Sequence, residues 1–267
     1  LDLMINSIYT HKEIFLREIL SNASDAVDKL CYKSLTDESV GMSRDDFLIR
    51  INRDEENRVI TVTDNGIGMT REELEKNLGT IAKSGSLDFK QNLESSDLPK
   101  GEDGTAPIDI IGQFGVGFYS AFMVSDKVTV VSRAWGEDQA WKWESTGADG
   151  YTITEAQRET MGTDVIMEIK ADTEDEDYSR FLQEYTLAGL VKKYSDYIRY
   201  PIQMEREKHR AIEGTETEDK PAETETYYEL ETLNSMVPVW QRSKSEVTQE
   251  DYYAFYRDKF FDFADPI

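Results

Sequence analysis

Only one cysteine, Cys31, occurs in the 267 residues. A disulfide within the chain is therefore impossible, which fits a reducing compartment. Cys31 closes a helical stretch and reads as a packing residue. Basic residues are scarce beside acidic ones: 30 Lys and Arg against 54 Asp and Glu give a formal net charge of -24. Nucleic-acid binders normally carry the opposite sign, so DNA, RNA and anionic membranes are disfavoured as main partners. A phosphate ligand would need local donors to overcome the global field. Long apolar runs are missing too, and none approaches membrane-spanning length. Leu1 to Ile8 has no basic flank and no small-residue cleavage site, so it does not read as a signal peptide. The chain opens without Met, already in helical pattern, so trimming or disordered residues ahead of Leu1 are expected. His11 and His209 are the two histidines, and neither sits in a phospho-acceptor helix. There are no internal repeats.

What is present suffices for one sizeable core and a second, partial domain, since 39% of the residues are hydrophobic. Met4 to Leu35 has helical periodicity, with Leu16, Leu20, Ala23, Val27 and Leu30 on one apolar stripe. Phe47 to Asn52 and Arg58 to Asp64 read as strands around a charged turn. Thr70 and Glu73 form a capping box that opens a helix carrying Leu74, Leu78 and Ile81. Ser84 to Ala106 reads as a long mobile loop of the kind that serves as a lid. A helical turn follows at Phe118 to Met123. Strands are expected at Lys127–Arg133, Ala140–Ser145, Tyr151–Thr154 and Thr163–Ile169. Asp177 to Tyr200 reads as a helix with Leu182, Tyr185, Leu190, Tyr194 and Tyr197 inward. The Glu- and Thr-rich span 205–227 reads as a charged linker. It separates a first domain over 1–204 from the beginning of a second over 228–267, where Thr248 and Asp251 cap an aromatic helix.

Four constellations carry chemistry. Glu18, Asn22, Asp25 and Lys29 fall on one face of a helix. Apolar residues flank that polar line on both sides, which an ordinary surface helix does not require. Asp64-Asn-Gly-Ile-Gly68 ends a strand, with Asp64 on the face of Ile60 and Val62. A carboxylate fixed there suits an exocyclic amino group better than a phosphate. Gly112-Gln-Phe-Gly-Val-Gly117 precedes a helical turn, so backbone N–H groups there can hold phosphate without basic side chains. The spacing fits neither a Walker A loop nor a Rossmann fingerprint. Gly162-Thr163 opens a strand. Taken singly, each also has a plain structural reading, as a solvated charge face or an ordinary turn.

Their order resembles that of the GHKL ATPases: E-x-x-x-N-x-x-D, then D-x-G-x-G, then G-x-x-G-x-G, then G-T. The connecting text is more specific. Phe15–Ala26, Asn77–Gly85 and Ile111–Ser120 closely resemble the heat-shock protein 90 chaperones of bacterial type. Pro238–Arg242 and Glu250–Tyr256 are similar to the entry of that family's middle domain.

The resemblance implies a two-layer α/β sandwich: a mainly antiparallel twisted sheet covered on one face by helices, with ATP between the layers. It implies Glu18 as general base and Asn22 as the Mg²⁺ ligand. Asp25, Ala26 and Lys29 would line the pocket, and Asp64 would read the adenine amino group with Gly68 and Thr163. Met69, Asn77, Leu78 and Phe118 would line base, ribose and phosphates. Lys83, Ser84 and Gly85 would lie near the phosphates. Gln113, Phe114, Gly115, Val116 and Gly117 would wrap them, within a lid running from Asn77 to Gly117. The family's strand before Leu1, its middle-domain arginine and its C-terminal dimerisation domain lie outside these residues. The implied protein is an ATP-driven cytoplasmic chaperone acting on client proteins. It would be a homodimer at full length and a monomeric, slow ATPase as this fragment, without nucleic-acid or membrane partners. An organellar origin, a topoisomerase or mismatch-repair ATPase, and a nucleotide-dead acidic scaffold stay open as alternatives.

Overall fold

The computed structural model describes residues 11–79, 111, 116–147, 150–211, 224–243, 245 and 247–260. Residues 1–10, Ile81 and the expected lid loop Ser84–Ala106 lie outside them. Helix α1 spans Ile14–Ser34. No Gly or Pro interrupts it, and every residue of the expected stripe is buried, as are Phe15 and Ile19 on the other flank. Strands β1 (Ile49–Asp54) and β2 (Val59–Asp64) pair antiparallel around the charged turn. Helix α2 (Arg71–Leu78) starts at the Thr70–Glu73 capping box, each side chain bonded to the other's backbone N–H. A 3-10 turn at Gly117–Met123 leads into β3 (Ser125–Arg133), and β4 (Ala140–Ser145), β5 (Thr152–Ala156) and β6 (Gly162–Ile169) follow. Helix α3 is Glu184–Tyr194, β7 and β8 are Ile202–Ala211 and Thr224–Thr232, and α4 is Gln249–Phe260.

The eight strands form one sheet in the order β5-β4-β3-β6-β2-β1-β7-β8. Among the described residues only the β1–β7 pairing is parallel, as a connection passing through a helix allows. The register aligns apolar side chains in rows across the central strands, all of them buried except the partly buried Val165. Ile60, Met167 and Val128 form one row, and Val62, Val165 and Val130 form the next. Helix α1 packs against β2, α3 and the Gly117–Met123 turn. This is the expected mixed α/β architecture with a mostly antiparallel sheet.

Two expectations are corrected. The span 177–200 is not one helix. A 3-10 turn at Ser179–Leu182 is followed by Gln183 in extended conformation, and α3 starts only there. The restart sets a new phase. Leu187, Leu190 and Val191 are buried, Tyr194 and Tyr197 are partly covered, and Tyr185 is 66% exposed. The two ends of the expected linker 205–227 are strands, and they lengthen the sheet as the β7–β8 hairpin. Basic side chains of β7 reach diagonally to acidic ones of β8, with Lys208 2.8 Å from Glu229 and Arg206 3.3 Å from Glu231. Cross-strand pairing of this kind supports a ladder despite low apolar content. Residues 212–223 lie outside the described residues.

The new phase of α3 is testable by urea denaturation. Leu187→Ala is expected to cost about 2–5 kcal/mol, whereas Tyr185→Ala stays within about 0.5 kcal/mol.

Candidate functional site

The site begins with a break in the apolar face of the sheet. At one end of the three central strands, Asp64, Thr163 and Ser132 occupy one row, where the rows below hold only apolar side chains. All three are buried. Thr163 Oγ1 and Ser132 Oγ are 2.8 Å apart, and Ser132 Oγ also accepts the Met69 N–H at 2.8 Å. Ser132 thus fastens the Met69 backbone beside Thr163. It was not foreseen from the sequence. The signal was there: a serine in phase with Val128 and Val130 interrupts the apolar side of β3.

Asp64 is 4% exposed. Its Oδ1 accepts the Gly66 N–H at 2.9 Å. Burial pushes its carboxyl up to about 7, and the nearby Asp164 charge adds to the effect. The Gly66 N–H, the charge of Arg158 and the Thr163 N–H pull the other way and only partly offset it. A carboxyl in this condition lacks a strong donor, and a ligand N–H would supply one.

The loop after Asp64 is pressed onto α1. Ile67 N–H donates to Ala26 O at 3.0 Å. A Cβ on Gly66 would lie 2.4 Å from the Ala26 carbonyl carbon, so only glycine lets the two backbones meet this closely. Gly68 has φ +66, and a Cβ there would lie 2.0 Å from Arg133 O. Asn65 braces the loop from outside, accepting Leu48 N–H at 2.9 Å and donating to Asp46 O at 2.7 Å.

Helix α1 also holds both ends of the glycine-rich segment. Asp25, 1% exposed, accepts the Ile111 N–H at 2.9 Å. At the other end, Gly117 packs on Glu18, where a Cβ would lie 2.2 Å from Glu18 Oε2. Arg17 holds the other Glu18 oxygen, its Nε 3.0 Å from Oε1. Arg17 is a second contributor that sequence reasoning passed over, since it reads as a solvated helix charge. Asn22 is exposed one turn beyond Glu18, while Ala26 and Lys29 are half-buried.

Among the other expected residues, Met69 and Asn77 come together, with Asn77 Nδ2 3.9 Å from Met69 Sδ. Asn77 Oδ1 is buried and has no hydrogen-bond partner among the described residues. An orphaned acceptor at this place fits a donor from a bound molecule. Leu78 belongs to the core, and its carbonyl accepts the Tyr119 hydroxyl at 2.8 Å. Phe118 is buried edge-on against Trp143, with centroids 5.4 Å apart. Val116 is half-buried. Lys83, Ser84, Gly85, Gln113, Phe114 and Gly115 lie outside the described residues.

The buried carboxyl at Asp64 has a pH signature. Its folded-state pKa lies above its unfolded value, so its charged form destabilises the fold. The penalty is absent below pH 4 and fully present above about pH 7. The stability of Asp64→Asn minus that of the unsubstituted chain should therefore grow as pH rises from 4 to 8. Denaturant titration should give a change of up to about 4 kcal/mol. A difference that does not vary with pH would mean an ordinary carboxylate.

The sequence pattern of the family described as histidine kinase-, DNA gyrase B- and HSP90-like ATPases matches residues 9–173. That of Hsp90 protein matches residues 216–267. The chain is 56% identical over its whole length to the chaperone protein HtpG of Clostridium botulinum strain 657, of which it covers 40%. It is 56% identical to HtpG of Clostridium acetobutylicum, covering 40%, and 55% identical to HtpG of Clostridium perfringens strain 13, covering 41%. The chain thus spans about two fifths of the length of the curated relatives it matches.

Proposed function

The chain belongs to the histidine kinase-, DNA gyrase B- and HSP90-like ATPase family, on its heat-shock protein 90 branch, and from that premise we propose that it is the ATP-binding and ATP-hydrolysing part of a molecular chaperone. The observation that carries the reading is Asp64. A buried carboxyl with a raised pKa, in a polar row at the root of the Gly66–Gly68 loop, is costly to the fold and suits a neutral amino donor such as that of adenine. Thr163 and Gly68 are assigned to the same edge of the base through water. Met69, Asn77, Leu78 and Phe118 are assigned to the base, ribose and near phosphate.

At the far end, Glu18 is the proposed general base. It lies on the helix against Gly117, within a step of the segment whose N–H groups would meet the phosphates. Arg17 now holds that carboxylate, so hydrolysis would require the pair to part. Asn22 is the residue assigned to the magnesium ion, which supplies charge neutralisation at the phosphates. Asp25, Ala26 and Lys29 line the helix side. Lys83, Ser84 and Gly85, with Gln113 to Gly115, are assigned to the phosphates on resemblance alone.

The β7–β8 hairpin extends the sheet through Thr232. We therefore place the second domain's beginning after it, rather than at 228. In the longer protein we propose client proteins and a second copy as partners, and a cytoplasmic location. No helix among the described residues is long and apolar enough to cross a membrane. A DNA-acting relative is disfavoured by the net charge of -24.

Calorimetric titration of this chain with Mg-ADP, Mg-ATP and Mg-GTP tests the reading. Adenine nucleotides should bind, Mg-GTP should bind at least tenfold more weakly, and Asp64→Asn should abolish adenine binding. Glu18→Ala should keep Mg-ATP binding within about threefold and lose hydrolysis by roughly a hundredfold or more. Equal loss of binding in the two variants would refute the division of roles. A folded chain that binds no nucleotide would favour the scaffold reading.

A further inference from the structure

Behind the cleft lies a buried polar cluster that the roles above do not use. Asp28 sits on α1 one turn beyond Asp25 and is 5% exposed. The Tyr200 hydroxyl donates to its Oδ1 at 2.6 Å. The Tyr200 ring packs edge-on against Phe47, with centroids 6.1 Å apart. Phe47 lies between Asp46 and Leu48, the two residues whose backbones hold Asn65 of the Asp64 loop. One side chain therefore touches the supports of both cleft walls: the helix through its hydroxyl, and the loop through its ring.

Tyr200 is itself held from the far side. Asn234, 7% exposed, accepts the Ile202 N–H at 2.8 Å. Its Nδ2 donates to Ile198 O at 2.8 Å and to Tyr200 O at 3.0 Å. Every polar group of this carboxamide thus serves the turn that carries Tyr200. Asn234 stands two residues past the end of β8, and the next residue is fixed as well: Ser235 N–H donates to Asp196 O at 3.0 Å. Lys192 Nζ ties Asp196 and Ser235 together, at 3.1 and 2.7 Å.

We propose that Tyr200 is a positioning residue for the nucleotide cleft, setting the spacing of α1 against the Asp64 loop, and that Asn234 holds it and so links the chain leaving the sheet to nucleotide binding. The proposal rests on the nucleotide-binding reading above. The two walls meet at the Ile67–Ala26 hydrogen bond, so a small rotation of α1 would alter the distance between Asp64 and the Glu18 end. Linkage is reciprocal, so nucleotide binding must tighten the 233–236 segment as much as that segment tightens the cleft.

Tyr200→Phe removes the hydroxyl and keeps the ring on Phe47. Calorimetry with Mg-ADP should show affinity weakened roughly five- to fiftyfold, with the circular dichroism spectrum and a cooperative melt retained. A lowered Tm with unchanged affinity would make Tyr200 a plain brace and overturn the proposal. Where Tyr200→Phe does not fold, hydrogen exchange of the unsubstituted chain decides. Saturating Mg-ADP should slow exchange of the Leu233 and Ser235 amides several-fold. Slowing confined to α1 and the Asp64 loop would overturn the linkage. If the unsubstituted chain binds no Mg-ADP at all, the nucleotide reading fails first and takes this proposal with it.

Discussion

Helix α1 has to bury both of its flanks, and the rest of the molecule is arranged around that requirement. Leu16, Leu20 and Val27 on one side and Phe15 and Ile19 on the other are all within about 1% of full burial. Of the polar line between them, Asn22 faces water and Asp25 is buried. Glu18 and Asp25 are instead met by protein: Gly117 and Arg17 at one end, the Ile111 N–H at the other. The glycine loops follow from the same constraint. Backbone can approach a covered helix this closely only where no Cβ intervenes, which is why Gly66 lies on Ala26 and Gly117 on Glu18. A helix that served stability alone would carry Leu or Ala at those polar positions.

The sheet makes the matching concession. Rows of valine and isoleucine give way at one end to Asp64, Thr163 and Ser132. Burying a carboxyl there opposes folding, and the apolar rows beneath offset the cost. A ligand amino group would give the carboxyl the donor it lacks, so binding and stability are linked through one side chain. Sites kept at the expense of stability are where function concentrates.

Much of this was readable from residue order. The alternation Ile60, Val62, Asp64 by itself puts the carboxylate on the inner face. The Thr70 capping box placed a helix start to the residue, because capping is local chemistry. Non-local pairing was harder to see. The β7–β8 hairpin looked like a solvated linker because its stabilising partners are charges on the opposite strand, separated by more than a dozen residues. One continuous helix would turn Tyr185 inward, and the extended Gln183 resets the phase. Ser132 and Asn234 were missed for a related reason. Their importance comes from what lies beside them in space, and neither residue type signals that alone. The heat-shock protein 90 resemblance was legible because it resides in contiguous stretches such as Phe15–Ala26. The roles of Lys83 to Gly85 and Gln113 to Gly115 rest on that resemblance only.

The most direct examination of Asp64 as the base-reading group is a ¹³C NMR titration of its carboxyl carbon, assigned with Asp64→Asn, with and without saturating Mg-ADP. The free protein should titrate near pH 7, in line with burial. The complex should titrate well below that, because the adenine amino group partners the charged form. An Asp64 carboxyl that titrates in the ordinary range when free, or that does not respond to Mg-ADP, would contradict the assignment of this carboxylate to the adenine.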